Sequence, residues 1–185
     1  ALSIRKLITE LTVRRLNEIK KGIAPDDLAT KIMTTVDPES GETFSVNETV
    51  DQIAIFFLAG HETSGSALAW TLYLLAMHPD WQDRLAIEAK ILTSDFGSVR
   101  KLRQTQDVFR EALRLYPPVP MMVRETTCPE EFRGRFIKPG AQIVLSPWHL
   151  HRQERLWDNP DGFDPARWGT ETGKKSAREA YLPFS

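Results

Sequence analysis

The chain has 185 residues, of which 41% are hydrophobic, and its formal net charge is -1. This length and apolar content predict one globular core rather than a disordered chain, and the near-neutral charge gives no electrostatic basis for nucleic-acid binding. The single cysteine, Cys128, excludes an internal disulfide and a cysteine-cluster metal site. A lone cysteine and the lack of a signal-peptide pattern at the first residues favour a cytoplasmic location.

The first part of the chain predicts helices. Apolar residues recur at helical spacing over residues 4–21, which indicates an amphipathic helix. A short second helix is expected after Asp27, with Leu28 and Ile32 on its buried face. The segment 37–42 combines proline, glycine and polar residues and is predicted to be a loop.

The longest predicted helix begins near Ser45 and continues to about Met77. Ser45 and Glu48 fit a capping box, in which each residue satisfies the backbone N–H of the other. Pro79 ends this helix and can occupy the first turn of the next one. A further helix is expected over roughly 101–116, because the prolines that follow disfavour helical geometry.

The later part of the chain changes character. Residues 132–137 and 142–145 predict a β-hairpin, with Pro139-Gly140 at the centre of a type II turn. Residues 152–185 are rich in proline and glycine and are expected to be mostly irregular. The predicted fold class is therefore mainly α with a small β-sheet (α+β).

Two histidines follow the predicted hairpin. His149 and His151 are expected to share one face of a strand, where a metal pair is conceivable. No third ligand accompanies them, so packing is the favoured interpretation.

The long helix allows several interpretations, because residues 53–77 are apolar apart from His61 and Glu62. A membrane span is one, but charged residues at mid-depth would be costly, and a core helix buried on all sides is favoured. His61-Glu62 also begins a zinc-protease motif, whose second histidine would fall at position 65. Gly65 stands there, which excludes that motif.

An acid and a hydroxyl stand beside small residues in the same helix. Ala59, Gly60 and Thr63 share one helix face, where small side chains would let a flat cofactor approach the backbone. A glycine within a helix loosens it, so an irregularity is expected here. Thr63 can offer its hydroxyl to a ligand, and Glu62 can relay protons.

Three short motifs follow one another at intervals of about fifty residues: AGHETS at 59–64, EALR at 111–114 and FDPARW at 163–168. In this order and spacing they resemble the cytochromes P450, the haem-thiolate monooxygenases. The resemblance covers nearly the whole chain and implies a partial cytochrome P450 fold. It implies a helical part over 1–118, a small β region over 119–150 and a meander over 151–185.

The resemblance also implies roles for single residues. Thr63 would hydrogen-bond dioxygen at the haem and an ordered water, and Glu62 would belong to the proton-delivery path. Ala59, Gly60 and Thr63 would contact haem b, and Arg124 would pair with a haem propionate. The implied substrate-pocket residues are Phe56, Met121, Met122 and Val123.

Glu111 and Arg114 are three residues apart, a spacing that alone indicates no more than a surface ion pair. By the resemblance they would form a buried triad with Arg167, in which one carboxylate is satisfied by two guanidinium groups. The resemblance implies that this triad assembles the fold and the haem site and takes no part in the chemistry.

The family's axial cysteine lies in a Phe-x-x-Gly-x-Arg-x-Cys-x-Gly loop, of which the chain would contain only Phe184-Ser185. The metal ligand is therefore expected beyond Ser185, and Cys128 does not match its position. The chain is expected to be a C-terminal-half fragment that does not hold haem stably or catalyse oxygenation alone. Its uncovered apolar helix predicts self-association.

The resemblance implies a parent enzyme that inserts one oxygen atom from O2 into a small apolar organic substrate. A ferredoxin or flavin reductase would supply the electrons. Two alternatives stay open: a haem-free helical interaction module, and an isomerase or dehydratase of the P450 fold. The Glu62-Thr63 pair argues against the latter, because such enzymes need no proton relay to dioxygen.

Overall fold

The computed structural model describes residues 2–184, and about 59% of the chain is helical. The predicted fold class, mainly α with small antiparallel sheets, is confirmed. The helices of the described residues are α1 Leu2–Lys20, α2 Leu28–Thr34, α3 Val46–Met77, α4 Pro79–Glu88, α5 Arg103–Leu115, α6 Pro147–Leu150 and α7 Glu171–Ala180. The strands are β1 Met122–Glu125, β2 Glu130–Phe132, β3 Arg135–Ile137 and β4 Gln142–Leu145.

Two compact units divide the chain, the first ending at Glu62 and the second beginning at Thr63. Helix α3 runs through this boundary and supplies a segment to each unit. The second unit contains the elements from α4 onward, including both β-ribbons.

In the first unit, α2 begins at an aspartate that also pairs with α1. The carboxylate of Asp27 accepts from the Thr30 N–H at 2.9 Å and from Arg15 Nη1 at 2.6 Å. The expected buried face is wrong, since Leu28 is 57% exposed and Met33 is the buried residue. The ion pair to Arg15 orients the short helix so that Met33 faces the α1 side.

Helix α3 starts with the predicted capping box. The Ser45 N–H donates to Glu48 Oε2 at 2.9 Å, and the Glu48 N–H donates to Ser45 Oγ at 3.3 Å. The helix then continues without a break to Met77, so the irregularity expected at Gly60 is not observed. Glycine permits such a distortion but does not impose it.

The sequence allowed two interpretations of α3, a membrane span and a core helix buried on all sides. Among residues 2–184, no helix is both long enough and apolar enough to cross a membrane. Burial on all sides was expected of α3 in a larger protein. In the described chain Ile55, Phe56, Phe57 and Leu58 are each more than half exposed, as expected for an apolar helix that is left uncovered.

The start of α5 is capped by a residue of α4. Leu102 occupies the N-cap position and has no side-chain oxygen. Instead, the carboxylate of Glu88 accepts from the N–H groups of Gln104 and Thr105, both at 2.8 Å. Partial burial raises the pKa of Glu88, but these N–H groups outweigh burial and leave the pKa below its usual value.

The strands pair differently from the prediction. Strand β1 pairs antiparallel with β4, and β2 pairs antiparallel with β3. Arg133 and Gly134 connect β2 to β3 with φ of 52° and 72°, which is the positive-φ geometry of a tight hairpin turn. The predicted hairpin between 132–137 and 142–145 is therefore wrong.

The Pro139-Gly140 turn forms as predicted but joins strands that do not pair. The Ala141 N–H donates to the Lys138 carbonyl at 3.2 Å, and Gly140 has φ 81°, as a type II turn requires. The hydroxyl of Thr126, just after β1, donates to the Lys138 carbonyl at 2.7 Å and accepts from the Ala141 N–H at 3.1 Å. Thr126 thus directs β4 toward β1.

The last part of the chain is more regular than expected. A 3₁₀ helix, Pro165–Gly169, precedes α7, whose first turn is capped by Thr170 Oγ1 accepting from the Gly173 N–H at 3.0 Å. A Cβ on Gly173 would collide with the carbonyl oxygen of Arg167. This glycine therefore marks a close approach of two helices rather than irregular structure.

We expect Gly173→Ala to lower the free energy of unfolding by about 1–3 kcal/mol, because the added methyl overpacks against the Arg167 carbonyl. The matched control is Gly169→Ala, where an added Cβ meets nothing within 4 Å and the change stays within about 0.5 kcal/mol. Urea unfolding of both variants checks this. Equal effects at the two glycines would show that the close approach does not constrain the fold.

Candidate functional site

The second unit contains a carboxylate and a guanidinium that are completely buried. Glu111 and Arg114 of α5 are both 0% exposed. Arg114 donates from Nε to Glu111 Oε2 at 3.0 Å and from Nη2 to Oε1 at 2.8 Å. This forked arrangement uses both carboxylate oxygens, as a buried acid requires.

Arg167 completes the group from the 3₁₀ helix. Its Nε donates to Glu111 Oε1 at 2.9 Å, and the Asp164 N–H donates to the same oxygen at 3.1 Å. The structure therefore brings together all three residues of the implied triad, Glu111, Arg114 and Arg167, although their separation in sequence is up to 56 residues.

The two arginines outnumber the acid, and backbone carbonyls balance the excess positive charge. Arg114 donates to the carbonyls of Pro160 and Gly162, while Arg167 donates to those of Asp158, Asn159 and Gly162. The loop 158–162 is thus wrapped around two guanidinium groups. Removing either arginine would leave a buried acid underpaired and some carbonyls of this loop without a donor.

His151 was expected on a strand, and this is wrong. It is the residue that ends α6, whose start is set by Ser146 and Pro147, and its side chain is fully buried. His151 Nδ1 lies 3.0 Å from the Arg114 carbonyl oxygen, and Nε2 accepts from the Leu182 N–H at 2.8 Å. His149 is exposed and hydrogen-bonds Ser146, so the two histidines do not form a pair.

The acid and hydroxyl of α3 lie in an open environment. Ala59, Gly60 and Glu62 are exposed, and Thr63 is half-buried. A Cβ built on Gly60 would meet nothing within 4 Å, so the helix backbone is uncrowded at this residue. Ala59, Gly60 and Glu62 belong to the first unit, and Thr63 begins the second.

Strand β1 and the residue before it were expected to supply a propionate partner and pocket residues. Arg124 is exposed, and its Nη1 donates to the Val123 carbonyl at 3.1 Å. Met121 and Val123 are 59% and 54% exposed, whereas Met122 is only 8% exposed. Successive residues of a strand face opposite sides, so Met122 faces away from Met121 and Val123, and the assignment of all three to one substrate pocket stays a prediction.

The described side chains do not form a metal-binding cluster. Within residues 2–184, no cluster of three or more His, Cys, Asp or Glu residues is placed to hold a metal ion. Cys128 is exposed, and its Sγ lies 3.4 Å from Glu130 Oε1, in the loop before β2.

Comparison with known proteins identifies the family of the chain that contains this buried triad. A family model described as Cytochrome P450 matches residues 2–185. The chain belongs to the cytochrome P450 family.

Individual relatives agree with this assignment. The chain is 37% identical over 183 residues to cyclooctatin synthase of Streptomyces melanosporofaciens, covering 96% of this chain and 40% of that protein. It is 34% identical over 185 residues to cyclooctat-9-en-7-ol 5-monooxygenase of the same organism, covering 98% and 40%. A retinoic acid-bound cyanobacterial CYP120A1 superposes with a TM-score of 0.87 at 27% identity, over 96% of this chain and 42% of that one.

The chain therefore spans about 40% of the length of the curated relatives it matches. The P450 resemblance stated from the three motifs is confirmed for the family and for the fold.

The residues of this P450 chain meet two of the three requirements of a haem-thiolate site. The uncrowded backbone at Gly60 would suit a flat apolar ring, and the exposed guanidinium of Arg124 would suit a propionate. The third requirement is a thiolate, and the one cysteine of the sequence is the exposed Cys128. These residues thus fit the surroundings of the cofactor but do not supply its axial ligand.

Two features of the site were not found from the sequence. One is the role of His151, which the sequence placed only beside His149 on an expected strand. The other is an aromatic stack in which Trp70 of α3 lies 3.9 Å from Tyr116, with ring planes 4° apart. Arg152 lies 3.5 Å from the Trp148 ring beside it. The spacing of residues along the sequence cannot predict these ring contacts, because the partners lie on different elements.

We expect Arg114→Ala to lower the free energy of unfolding by about 3–5 kcal/mol, because it leaves the buried Glu111 carboxylate underpaired. The matched control is Arg110→Ala on the same helix. Arg110 also pairs with an acid three residues earlier, but it is half-exposed, so its loss costs about 0–1 kcal/mol. Urea unfolding of both variants measures the difference, and similar losses would contradict the structural role of the triad.

Proposed function

We propose that the protein carrying these residues is a haem-thiolate monooxygenase that inserts one oxygen atom from O2 into a small apolar organic substrate. The observation that carries the proposal is the uncrowded helix backbone at Gly60 next to an acid and a hydroxyl. It occurs in a chain of the P450 family that also contains the family's buried triad. A relative at 34% identity is named as a monooxygenase, which supports the same reaction type.

The chemistry of the reaction would come from haem, whose thiolate-ligated iron activates dioxygen when bound. Ala59 and Gly60 would admit the ring plane because they place no bulky side chain on that helix surface. Arg124 would hold a propionate through charge-assisted hydrogen bonds. Val123 and Met121, both exposed, would offer apolar contacts to the substrate. Phe56, 51% exposed on α3, would do the same.

Proton supply would fall to two neighbouring residues of α3. The Thr63 hydroxyl can donate a hydrogen bond toward the oxygen substrate and accept one from water. Glu62 is exposed, so its carboxylate can exchange protons with solvent and pass them toward Thr63. An isomerase or dehydratase would have no use for this pair, which favours oxygen chemistry. Electrons would come from a ferredoxin or a flavin reductase.

Residues 1–185 by themselves should neither hold haem b stably nor catalyse oxygenation. Cys128 is exposed beside Glu130, and no other thiol is present in the sequence. The exposed apolar residues 55–58 of α3 further support self-association of the isolated chain. Sedimentation as a single monomer that binds no apolar dye would contradict that association.

Haem reconstitution tests the proposed function directly. The natural polypeptide that carries these residues and the 185-residue chain are each mixed with haem, reduced and exposed to carbon monoxide. A thiolate-type Soret band in the natural polypeptide, but not in the 185-residue chain, is the expected result. Lack of that band in both would favour a haem-free helical interaction module instead.

We expect Thr63→Ala in the natural polypeptide to leave haem binding intact while most reducing equivalents appear as hydrogen peroxide rather than product. Removing the hydroxyl deprives the oxygen substrate of its hydrogen-bond donor, a loss of roughly 100-fold or more in coupled turnover. Thr63→Ser retains the hydroxyl and serves as the control. Peroxide yield per electron consumed is the measurement, and equal coupling in the two variants would exclude Thr63 from the reaction.

A further inference from the structure

One imidazole joins the segment after α7 to the buried triad. His151 Nε2 accepts from the Leu182 N–H at 2.8 Å, and Nδ1 lies 3.0 Å from the carbonyl oxygen of Arg114. A backbone N–H can only donate, so Nε2 must be the unprotonated nitrogen of the ring. Nδ1 therefore carries the proton and donates it to the Arg114 carbonyl, which assigns one neutral tautomer to the buried ring.

A second hydrogen bond joins the same two residues in the opposite direction. Its Nη1 donates to the backbone carbonyl of His151 at 2.8 Å, so each of the two side chains donates to the other residue's carbonyl. Arg114 is itself fixed by the carboxylate of Glu111. The position of the imidazole is thereby set by the triad, and the amide of Leu182 takes its position from the imidazole.

The groups that face the ring disfavour a second proton on it. Arg114 of α5 and Arg152, the next residue in the chain, are both cationic. Tyr181 stacks on the ring with centroids 5.4 Å apart, and burial raises the pKa of its phenol, so it stays neutral. Trp157 meets the ring edge and carries no charge. The Glu111 carboxylate behind Arg114 is already shared between two guanidiniums.

Burial is the largest effect on the ring and lowers the pKa of His151 to about 4. The hydrogen bond with the Arg114 carbonyl opposes this, and the charges of Arg114 and Arg152 reinforce it. An exposed histidine titrates near pH 6.5. The arrangement in which neutral His151 accepts from the Leu182 N–H is therefore fully stabilised above about pH 6.5. It loses this stabilisation as the pH falls from there toward 4.

We propose that neutral His151 is a latch that holds residues 181–184 through the Leu182 N–H, and that protonation of its Nε2 releases this segment while the rest of the second unit stays folded. A proton on Nε2 would point at the Leu182 N–H, and two donors cannot share a hydrogen bond. The proposal does not depend on the proposed oxygenase function, because every contact in it lies within the described protein.

Amide hydrogen exchange of the natural polypeptide tests the latch without any substitution. Between pH 7.5 and pH 5, the protection factor of the Leu182 amide, corrected for the intrinsic exchange rate, should fall roughly 30-fold. The Thr126 amide, which donates to the Ala141 carbonyl at 3.0 Å, is the internal control. Its protection should change by less than about threefold.

Two variants separate the hydrogen-bond acceptor from the titrating ring. His151→Gln can place an uncharged oxygen near the Nε2 position, so Leu182 should stay protected with no dependence on pH. His151→Asn can replace the Nδ1 donor but does not reach Leu182, so that amide should be unprotected at both pH values. Circular dichroism and the protection of Thr126 show whether each variant is folded.

Three results would overturn the proposal. Equal losses of protection at Leu182 and Thr126 would indicate general acid unfolding rather than local release. A Leu182 amide that is indifferent to pH in the unmodified protein would show that His151 does not control it. A pH dependence that persists in folded His151→Gln would assign the titration to another group. Haem binding is not a readout here, so failure of the proposed function leaves these outcomes unchanged.

Discussion

A carboxylate that is removed from water needs partners for both of its oxygens, and Glu111 obtains them from Arg114 and Arg167. The excess positive charge is then offset by the carbonyls of the loop 158–162. One acid thus fixes the relation between α5 and the 3₁₀ helix and the path of the chain between them. His151, bonded to Arg114 twice, extends this fixed region to α6.

The residues that hold the P450 fold and those proposed to perform the chemistry have opposite environments. The triad is buried and its charges are satisfied, as a structural role requires. Gly60 and Glu62 are exposed on an uninterrupted helix, where the proposed function would require space for a cofactor and for solvent exchange. This division explains why an unfolding experiment can assess Arg114, whereas Thr63 can be assessed only through the reaction.

The sequence predicts features whose partners are close along the chain. The capping box of Ser45 and Glu48 and the Pro139-Gly140 turn follow from local chemistry, and both are present. The strand pairing was missed because it depends on the Thr126 hydroxyl, which lies 12 residues from its Lys138 acceptor. Helix α7 was missed because the proline and glycine content of residues 152–185 indicated irregular structure, whereas Gly173 lies inside the helix and packs against the Arg167 carbonyl. Family motifs named the triad, but no local pattern could show the environment of His151.

The cap that Glu88 supplies to α5 has a consequence for the order of folding. Forming the first turn of a helix is the costly step, and α5 lacks a capping side chain of its own at Leu102. The N–H groups of Gln104 and Thr105 gain their acceptor only once α4 is formed and nearby. We therefore expect the helix that carries Glu111 and Arg114 to nucleate together with α4, so that the triad assembles after this helical pair has formed.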